Sequence, residues 1–423
     1  MIITSVLVFL VLLLIGLDVG FAMIIAALAG MALRSADPVT IPLTLVSSID
    51  SAALVTIPLF VLAGEIMNRG GLTHRLIDWS TAMVGHFRGS LSQVAMVTNL
   101  IMSGISGSAI ADASATGAVL IPAMKREGYK PSYAAAVIAA GALLGPIIPP
   151  SIPMIVYAIM GGLSIGKLFL AGVVPGLMLF AGNMVICAVI ARRRNYAAHP
   201  RASWTQRAAA TRKSIWALMA PILIIVGIRS GVVTETEAAG VICAYALLVG
   251  VVIYGNLKVR ELGAVLYGAG RTSAVVLFLL AAAGPFSWLM NEAHVATTIS
   301  QGILSLSTDK FTVLLIVNLL LLLVGMILEP LPALVMFVPT LLPIQAQLGI
   351  DPIHFATVVV VNLMIGMLHP PVGLLIFVTA AVGRVNLWAV AVETLPFLAW
   401  ALVVLFLISA FPELVTWLPN LSR

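Results

Sequence analysis

The chain has 423 residues, of which 61% are hydrophobic and only 9% charged, and its mean hydropathy is +1.15. Soluble domains carry about a quarter charged residues, so this composition excludes a water-soluble globule and predicts an all-α polytopic protein of the lipid bilayer. The formal charge of +6 accompanies two cysteines, Cys187 and Cys243, both in apolar surroundings, which imply neither a disulfide framework nor a metal cluster.

Along the chain, apolar runs recur that are long enough to cross a bilayer, which takes about 17 to 25 residues. Examples are Ile2 to Leu17, Ile215 to Ile228, Ala238 to Tyr254, Thr312 to Leu328 and Leu395 to Phe411. With half-spans and hairpins included, about 10 to 14 membrane elements are expected. The first run lacks the basic lead and small-residue cleavage site of a removable signal peptide and is expected to be retained. Early breaks fall at Gly16 to Gly20, at Ser35-Ala36-Asp37-Pro38 and at Arg69-Gly70-Gly71. The more polar stretch from Asn68 to Arg88, with His74, Trp79 and His86, reads as an interfacial helix or, more simply, as a solvated connection.

Between Asn99 and Gly117 stand five hydroxyl side chains (Ser103, Ser106, Ser108, Ser114, Thr116), three glycines and Asp112. Such a stretch does not suit a lipid-facing helix and is expected to line protein or a cavity. Freed carbonyls there are ready ligands for a hard cation such as Na⁺, the plainer alternative being helix packing through small residues. Next, Gly145-Pro146-Ile147-Ile148-Pro149-Pro150-Ser151-Ile152-Pro153 stops a helix at membrane depth, because consecutive prolines remove amide donors and forbid regular helix. Seven of the 22 basic residues then crowd between Arg192 and Lys213 without an acid, which the positive-inside rule places in the cytoplasm. Only Tyr196 and Trp204 accompany them and apolar spans flank them, so no nucleic-acid partner is expected. The pattern restarts near Gly227 to Glu237 and leads to two further breaks, Gly325-Met326-Ile327-Leu328-Glu329-Pro330 and Gly366-Met367-Leu368-His369-Pro370-Pro371-Val372-Gly373.

These later breaks repeat the earlier ones. Gly104 to Pro175 aligns without a gap on Gly325 to Pro396, and five proline pairs coincide: Pro122/Pro343, Pro131/Pro352, Pro149/Pro370, Pro150/Pro371 and Pro175/Pro396. Four glycine pairs do the same, Gly104/Gly325, Gly128/Gly349, Gly145/Gly366 and Gly162/Gly383, where random placement gives fewer than one pair of either kind. The loop after Pro122 holds Lys125, Arg126 and Lys130, whereas the matching loop from Gln345 to Asp351 has no basic residue. Equivalent loops are therefore expected on opposite sides of the membrane, which is an inverted repeat of helical hairpins and broken helices, as in alternating-access carriers. The expected division is 1–90 and 215–311 for scaffold helices, 91–175 and 312–396 for two repeated cores, 176–214 for a span with the basic linker, and 397–423 for a C-terminal helix.

These motifs resemble the large membrane (M) subunit of tripartite ATP-independent periplasmic (TRAP) transporters, over nearly the whole chain. The resemblance is most specific in Ser106-Gly107-Ser108 with Asp112, in Ile121 to Tyr129, in Gly145 to Ser151, in Pro343 with Gly349 to Pro352, and in Asn362 to Gly366 with Pro370-Pro371-Val372-Gly373. It implies an elevator-type carrier in the bacterial inner membrane that takes up an organic acid anion, such as a C4-dicarboxylate, sialic acid or sugar acid, with Na⁺ as coupling ion and no cofactor. It also implies a small four-helix membrane (Q) subunit and a periplasmic substrate-binding (P) protein as partners. Carried over by position, one Na⁺ site would use Ser103, Ser106, Gly145, Ile148 and Pro150, and the other Gly325, Gly366, His369 and Pro371. Ser108, Asp112, Pro149, Glu329, Pro370 and Arg384 would lie beside the substrate, with Ser108, Asp112 and Glu329 alternatively stabilising the hairpins. The sequence departs from the family's habit at His369, often Thr, at Glu329, often Asp, and at Asp18-Val19-Gly20, which lacks a nearby proline.

Two other functions fit parts of this pattern. A stand-alone ion-coupled dicarboxylate carrier shares the inverted-hairpin logic and differs in needing no partners. Gly104-Ile105-Ser106-Gly107 also matches the G-x-S-G of intramembrane serine proteases, but the nearest following histidine is His199, in the basic linker. A serine without a base in reach is not an activated nucleophile, so no enzyme is expected.

Overall fold

Glycine, proline and short polar caps decide where each helix stops in this chain. The computed structural model describes residues 2–33, 37, 39–229 and 233–421, which form twenty α-helices and no strand. The expected breaks at Ser35-Ala36-Asp37-Pro38 and at Ser230-Gly231 lie largely outside the described residues. First come α1 (Ile2–Leu14), α2 (Val19–Ala32), α3 (Thr40–Ser47), α4 (Thr56–Arg69) and α5 (Leu72–Val84). Asp18 starts α2 by accepting the Gly20 N–H at 3.0 Å, an N-cap.

The first core follows. Helices α6 (Ser90–Ser106) and α7 (Ala109–Arg126) form a hairpin, α8 (Pro131–Ala142) and α9 (Ile152–Gly161) are halves of one broken helix, and α10 (Ile165–Arg193) is long and continuous. Then come α11 (Trp204–Arg229), α12 (Glu235–Leu247), α13 (Leu262–Glu292) and α14 (Val295–Leu306). The second core repeats the first, with the hairpin α15 (Lys310–Gly325) and α16 (Pro330–Leu348), the broken pair α17 (Pro352–Gly366) and α18 (Leu374–Gly383), and the long α19 (Leu387–Ala410), followed by α20 (Glu413–Asn420). Pro149-Pro150 and Pro370-Pro371, the aligned breaks, are both cis.

Seven of the helices are long and apolar enough to cross a membrane and seven shorter ones are apolar, in accord with a multi-pass membrane protein. Scaffold helices α2 and α4 pack on α13 and α12, and α5 packs on α11, whereas α10 and α19 pack with the two cores and with α20.

The orientation of the repeats can be read along α19. At its start Glu393 binds Lys130 of the loop after the first hairpin, Nζ to Oε1, at 2.7 Å. Near its end the Ile408 carbonyl meets His354 Nε2 at 2.8 Å, beside Asp351 of the equivalent loop in the second half. Fifteen helical residues separate the two contacts, about 22 Å. Equivalent loops therefore sit at opposite ends of the molecule, and the repeats are inverted. Arg126→Cys and Ala346→Cys, both exposed loop-side positions, are expected to react with a membrane-impermeant thiol reagent from opposite sides; labelling of both from one side would refute the inversion.

The structure corrects three expectations. The run Thr312 to Leu328 is not a through-span, since α15 ends at Gly325 and the chain turns back at Pro330. The stretch from Asn68 to Arg88 is no solvated connection, because it contains α5, whose Leu72, Leu76, Ile77 and Ser80 are buried. The expected boundaries at 175, 214 and 396 fall inside α10, α11 and α19, for Pro175 and Pro396 sit within continuous helices. Packed neighbours can absorb the hydrogen bond a proline removes.

Candidate functional site

At the first hairpin tip, α6 ends in Gly107 with a left-handed φ of 62°, and Ser108 caps α7 by accepting the Ala111 N–H at 3.4 Å. The Ser106 hydroxyl accepts the Ser108 N–H at 3.2 Å. A side chain at Gly107 would strike the Pro150 carbonyl oxygen, so the tip is seated on the broken loop of the same repeat. Gly145, which opens that loop, lies against Ser108, Ala109 and the Asp112 carboxylate, whose Oδ2 would stand 2.8 Å from a Cβ there. Ile148 is buried in the loop, and Ser151 closes it by donating its hydroxyl to the Pro146 carbonyl. The fold thus brings Ser106, Gly145 and Pro150 together, while the Ser103 hydroxyl donates to the Leu100 carbonyl of its own helix at 2.6 Å.

In the second repeat the hairpin and broken helix touch backbone to backbone. A Cβ on Gly366 would lie 2.6 Å from the Gly325 carbonyl carbon and 2.7 Å from its oxygen. The loop beyond is held by the Leu375 N–H, which donates to the Met367 carbonyl at 3.1 Å. His369 Nδ1 lies 2.6 Å from the Pro370 carbonyl oxygen, and its own carbonyl packs against Gly373. Gly325, Gly366 and His369 therefore surround one turn of the chain, with Pro371 exposed at its rim.

Both tips and both loops meet the scaffold around a cavity of about 540 Å³. Its core wall is built from the first residues of four helices: Ala109 and Ile110 of α7, Ile152 and Pro153 of α9, Pro330 and Leu331 of α16, and Leu374 of α18. Helix N-termini carry partial positive charge and unsatisfied amides, so their convergence suits an anion. Ser108 and Glu329 also line the cavity.

Other expected substrate contacts do not reach it. Arg384 is an exposed residue capping α18, beside Gly383, whose carbonyl accepts Lys125 Nζ at 2.5 Å. That is the base of the first hairpin, some 18 residues of α7 away from its tip. Asp112 is fully buried beneath the tip with neither oxygen in a well-formed hydrogen bond. Pro149 is buried behind the cavity wall, and neither it nor Pro370 contributes to the lining.

The sequence reading missed the scaffold wall, where Glu65 of α4 and Gly268, Arg271 and Thr272 of α13 complete the cavity. Glu65 is paired with Arg69 at 2.7 Å. The available signal is a charge inside each of two apolar helices, which is costly unless it faces a cavity, but neither Glu65 nor Arg271 lies in a repeated core. Scaffold and core also touch at Gly64 of α4, where a Cβ would lie 3.3 Å from the Ser106 Cα.

Comparison with known proteins gives a consistent picture. Residues 6–414 match the family model described as the DctM component of the tripartite ATP-independent periplasmic transporters. The chain is 36% identical over 407 residues to the sialic acid TRAP transporter large permease protein SiaM of Vibrio cholerae, covering 96% of this chain and 95% of that protein. It is 38% identical over 367 residues to the C4-dicarboxylate TRAP transporter large permease protein DctM of Pseudomonas aeruginosa, covering 87% and 86%. Among solved structures, the YdaH transporter of Alcanivorax borkumensis has the same fold, with a TM-score of 0.60 at 14% identity over 88% of this chain and 87% of that one.

Proposed function

We propose, because this chain belongs to the DctM component family of tripartite ATP-independent periplasmic transporters, that it is the large permease of a Na⁺-driven importer of an organic acid anion. The relatives named above are permeases of sialic acid and C4-dicarboxylate transporters, and a carboxylate of that general class is the expected cargo here. The observation that carries this reading is the convergence of four helix N-termini on one cavity between the two hairpin tips, an arrangement that favours negative charge.

In this reading the chain sits in the bacterial inner membrane beside a small four-helix subunit and receives substrate from a periplasmic binding protein. Na⁺ is held by carbonyls and hydroxyls at Ser103, Ser106, Gly145, Ile148 and Pro150, and by Gly325, Gly366, His369 and Pro371. Carbonyl oxygens released from regular helix are suited to a hard cation. The two cores move as a transport unit against α1–α5 and α11–α14, and the contact at Gly64, free of interlocking side chains, is compatible with such sliding.

The test is uptake of labelled organic acids into proteoliposomes, with and without a Na⁺ gradient, the small partner and candidate binding proteins. Uptake is expected to require all three, and Ser106→Ala is expected to blunt its Na⁺ dependence. Gradient-driven uptake by this chain alone would make it a self-sufficient carrier, and no uptake of any acid would overturn the proposal.

A further inference from the structure

We propose that Arg271 is the anion receptor of the cavity: its guanidinium takes a carboxylate of the transported acid from the scaffold side, while the hairpin tips hold the rest of the molecule. This rests on the carrier reading above and goes beyond it by naming the side chain that recognises charge.

Arg271 stands nine residues after Leu262, where α13 begins, about 14 Å along the helix axis. The surrounding segment, Val259–Glu292, is apolar enough to cross the bilayer. A cation within an apolar spanning helix is costly unless it faces a partner or a water-filled cavity. Arg271 faces the cavity, is exposed there, and makes no ion pair among the described residues. The acid on the facing scaffold helix, Glu65, is engaged by Arg69. Among the described lining residues Arg271 is the one basic side chain, set among the carboxylates of Glu65, which Arg69 engages, and Glu329, so a carboxylate entering this space finds its one cationic partner at Arg271.

The geometry of the group fits that task. Guanidinium offers five N–H donors in a planar fork that matches both oxygens of a carboxylate. Beside it, Thr272 donates its hydroxyl to the Gly268 carbonyl at 3.2 Å, leaving its oxygen to accept from a substrate hydroxyl. Across the cavity lie the N-termini of α7, α9, α16 and α18, which suit the opposite end of a dicarboxylate or the hydroxyls of a sugar acid. Because Arg271 belongs to α13 and not to a repeated core, its contact is made in this position of the core and broken when the core moves away. Its effect is therefore on capture of substrate and not on Na⁺ binding.

The experiment uses the full chain with its small partner and binding protein in proteoliposomes, and a probe acid, sialic acid or succinate, first seen to be taken up by the unaltered protein. Arg271→Gln is expected to reduce uptake at low substrate by roughly 10- to 100-fold, the worth of a hydrogen-bonded charge, with the Na⁺ concentration for half-maximal uptake unchanged. Arg271→Lys should recover part of the loss. In Arg271→Cys, 2-aminoethyl methanethiosulfonate should restore uptake and the sulfonatoethyl reagent should not, which separates charge from shape on one folded protein. Unchanged substrate dependence in Arg271→Gln, or equal effects of the two reagents on Arg271→Cys, overturns the assignment while leaving the carrier reading intact. Failure of the unaltered protein to take up any acid overturns both.

Discussion

Gly366→Ala is expected to lose about 1–3 kcal/mol of stability, the usual cost of overpacking a filled core, and to cut uptake by about tenfold or more, since a site needs its groups within about 0.5 Å. At this position the hairpin arm α15 and the half-helix α17 cross with no side chain between them. A Cβ would stand 2.6–2.7 Å from three backbone atoms of Gly325, a distance that backbone cannot yield without moving a whole helix. That movement would separate the carbonyls at the break from the hairpin tip. Gly240→Ala is the control, because nothing lies within 4 Å of a Cβ there. Thermal unfolding in detergent and uptake in proteoliposomes are the measurements. A Gly366→Ala protein that matches the control in both would show that the close crossing is not needed.

Glu393→Gln is the second large effect expected. Its carboxylate is 6% exposed and binds Lys130 at 2.7 Å and Arg194 at 2.8 Å, tying the loop after α7 and the end of α10 to α19. Removing one partner of a buried pair costs roughly 3–5 kcal/mol. Here the two cations keep 57% and 35% of their side-chain surface exposed, so hydration offsets part of that, and about 1–3 kcal/mol is expected. Because both cations lose the same counter-ion, adding Lys130→Gln to Glu393→Gln should cost little more, whereas independent contributions would add. Additive losses in unfolding midpoints would refute the shared ion pair.

Much of this architecture was legible in the sequence for a physical reason. Breaking a helix at membrane depth demands proline and glycine, and these leave a pattern that alignment of the two halves exposes; Pro149/Pro370 and Gly145/Gly366 mark breaks that the structure contains. Inversion was legible too, because Lys125, Arg126 and Lys130 have no basic counterparts in the second half. What escaped were relations between distant segments. Arg384 is a charge within a repeat yet stands exposed at the end of α18, and Arg271 lies outside the repeats yet lines the cavity. Nor could spacing tell that Pro175 and Pro396 would lie inside unbroken helices, since tolerance for proline depends on neighbours that only the fold supplies.

The lengths of the helices divide the molecule in its dealings with lipid. α13 has 31 residues, about 46 Å of helix against a hydrocarbon thickness of about 30 Å, so in crossing it must tilt or protrude. The hairpin arm α15 has 16 residues, about 24 Å, and turns back before it could cross. Bilayer thickness is therefore felt by the scaffold and scarcely by the arms: lipid grips the frame, and the part that carries the breaks is insulated from the membrane's dimensions.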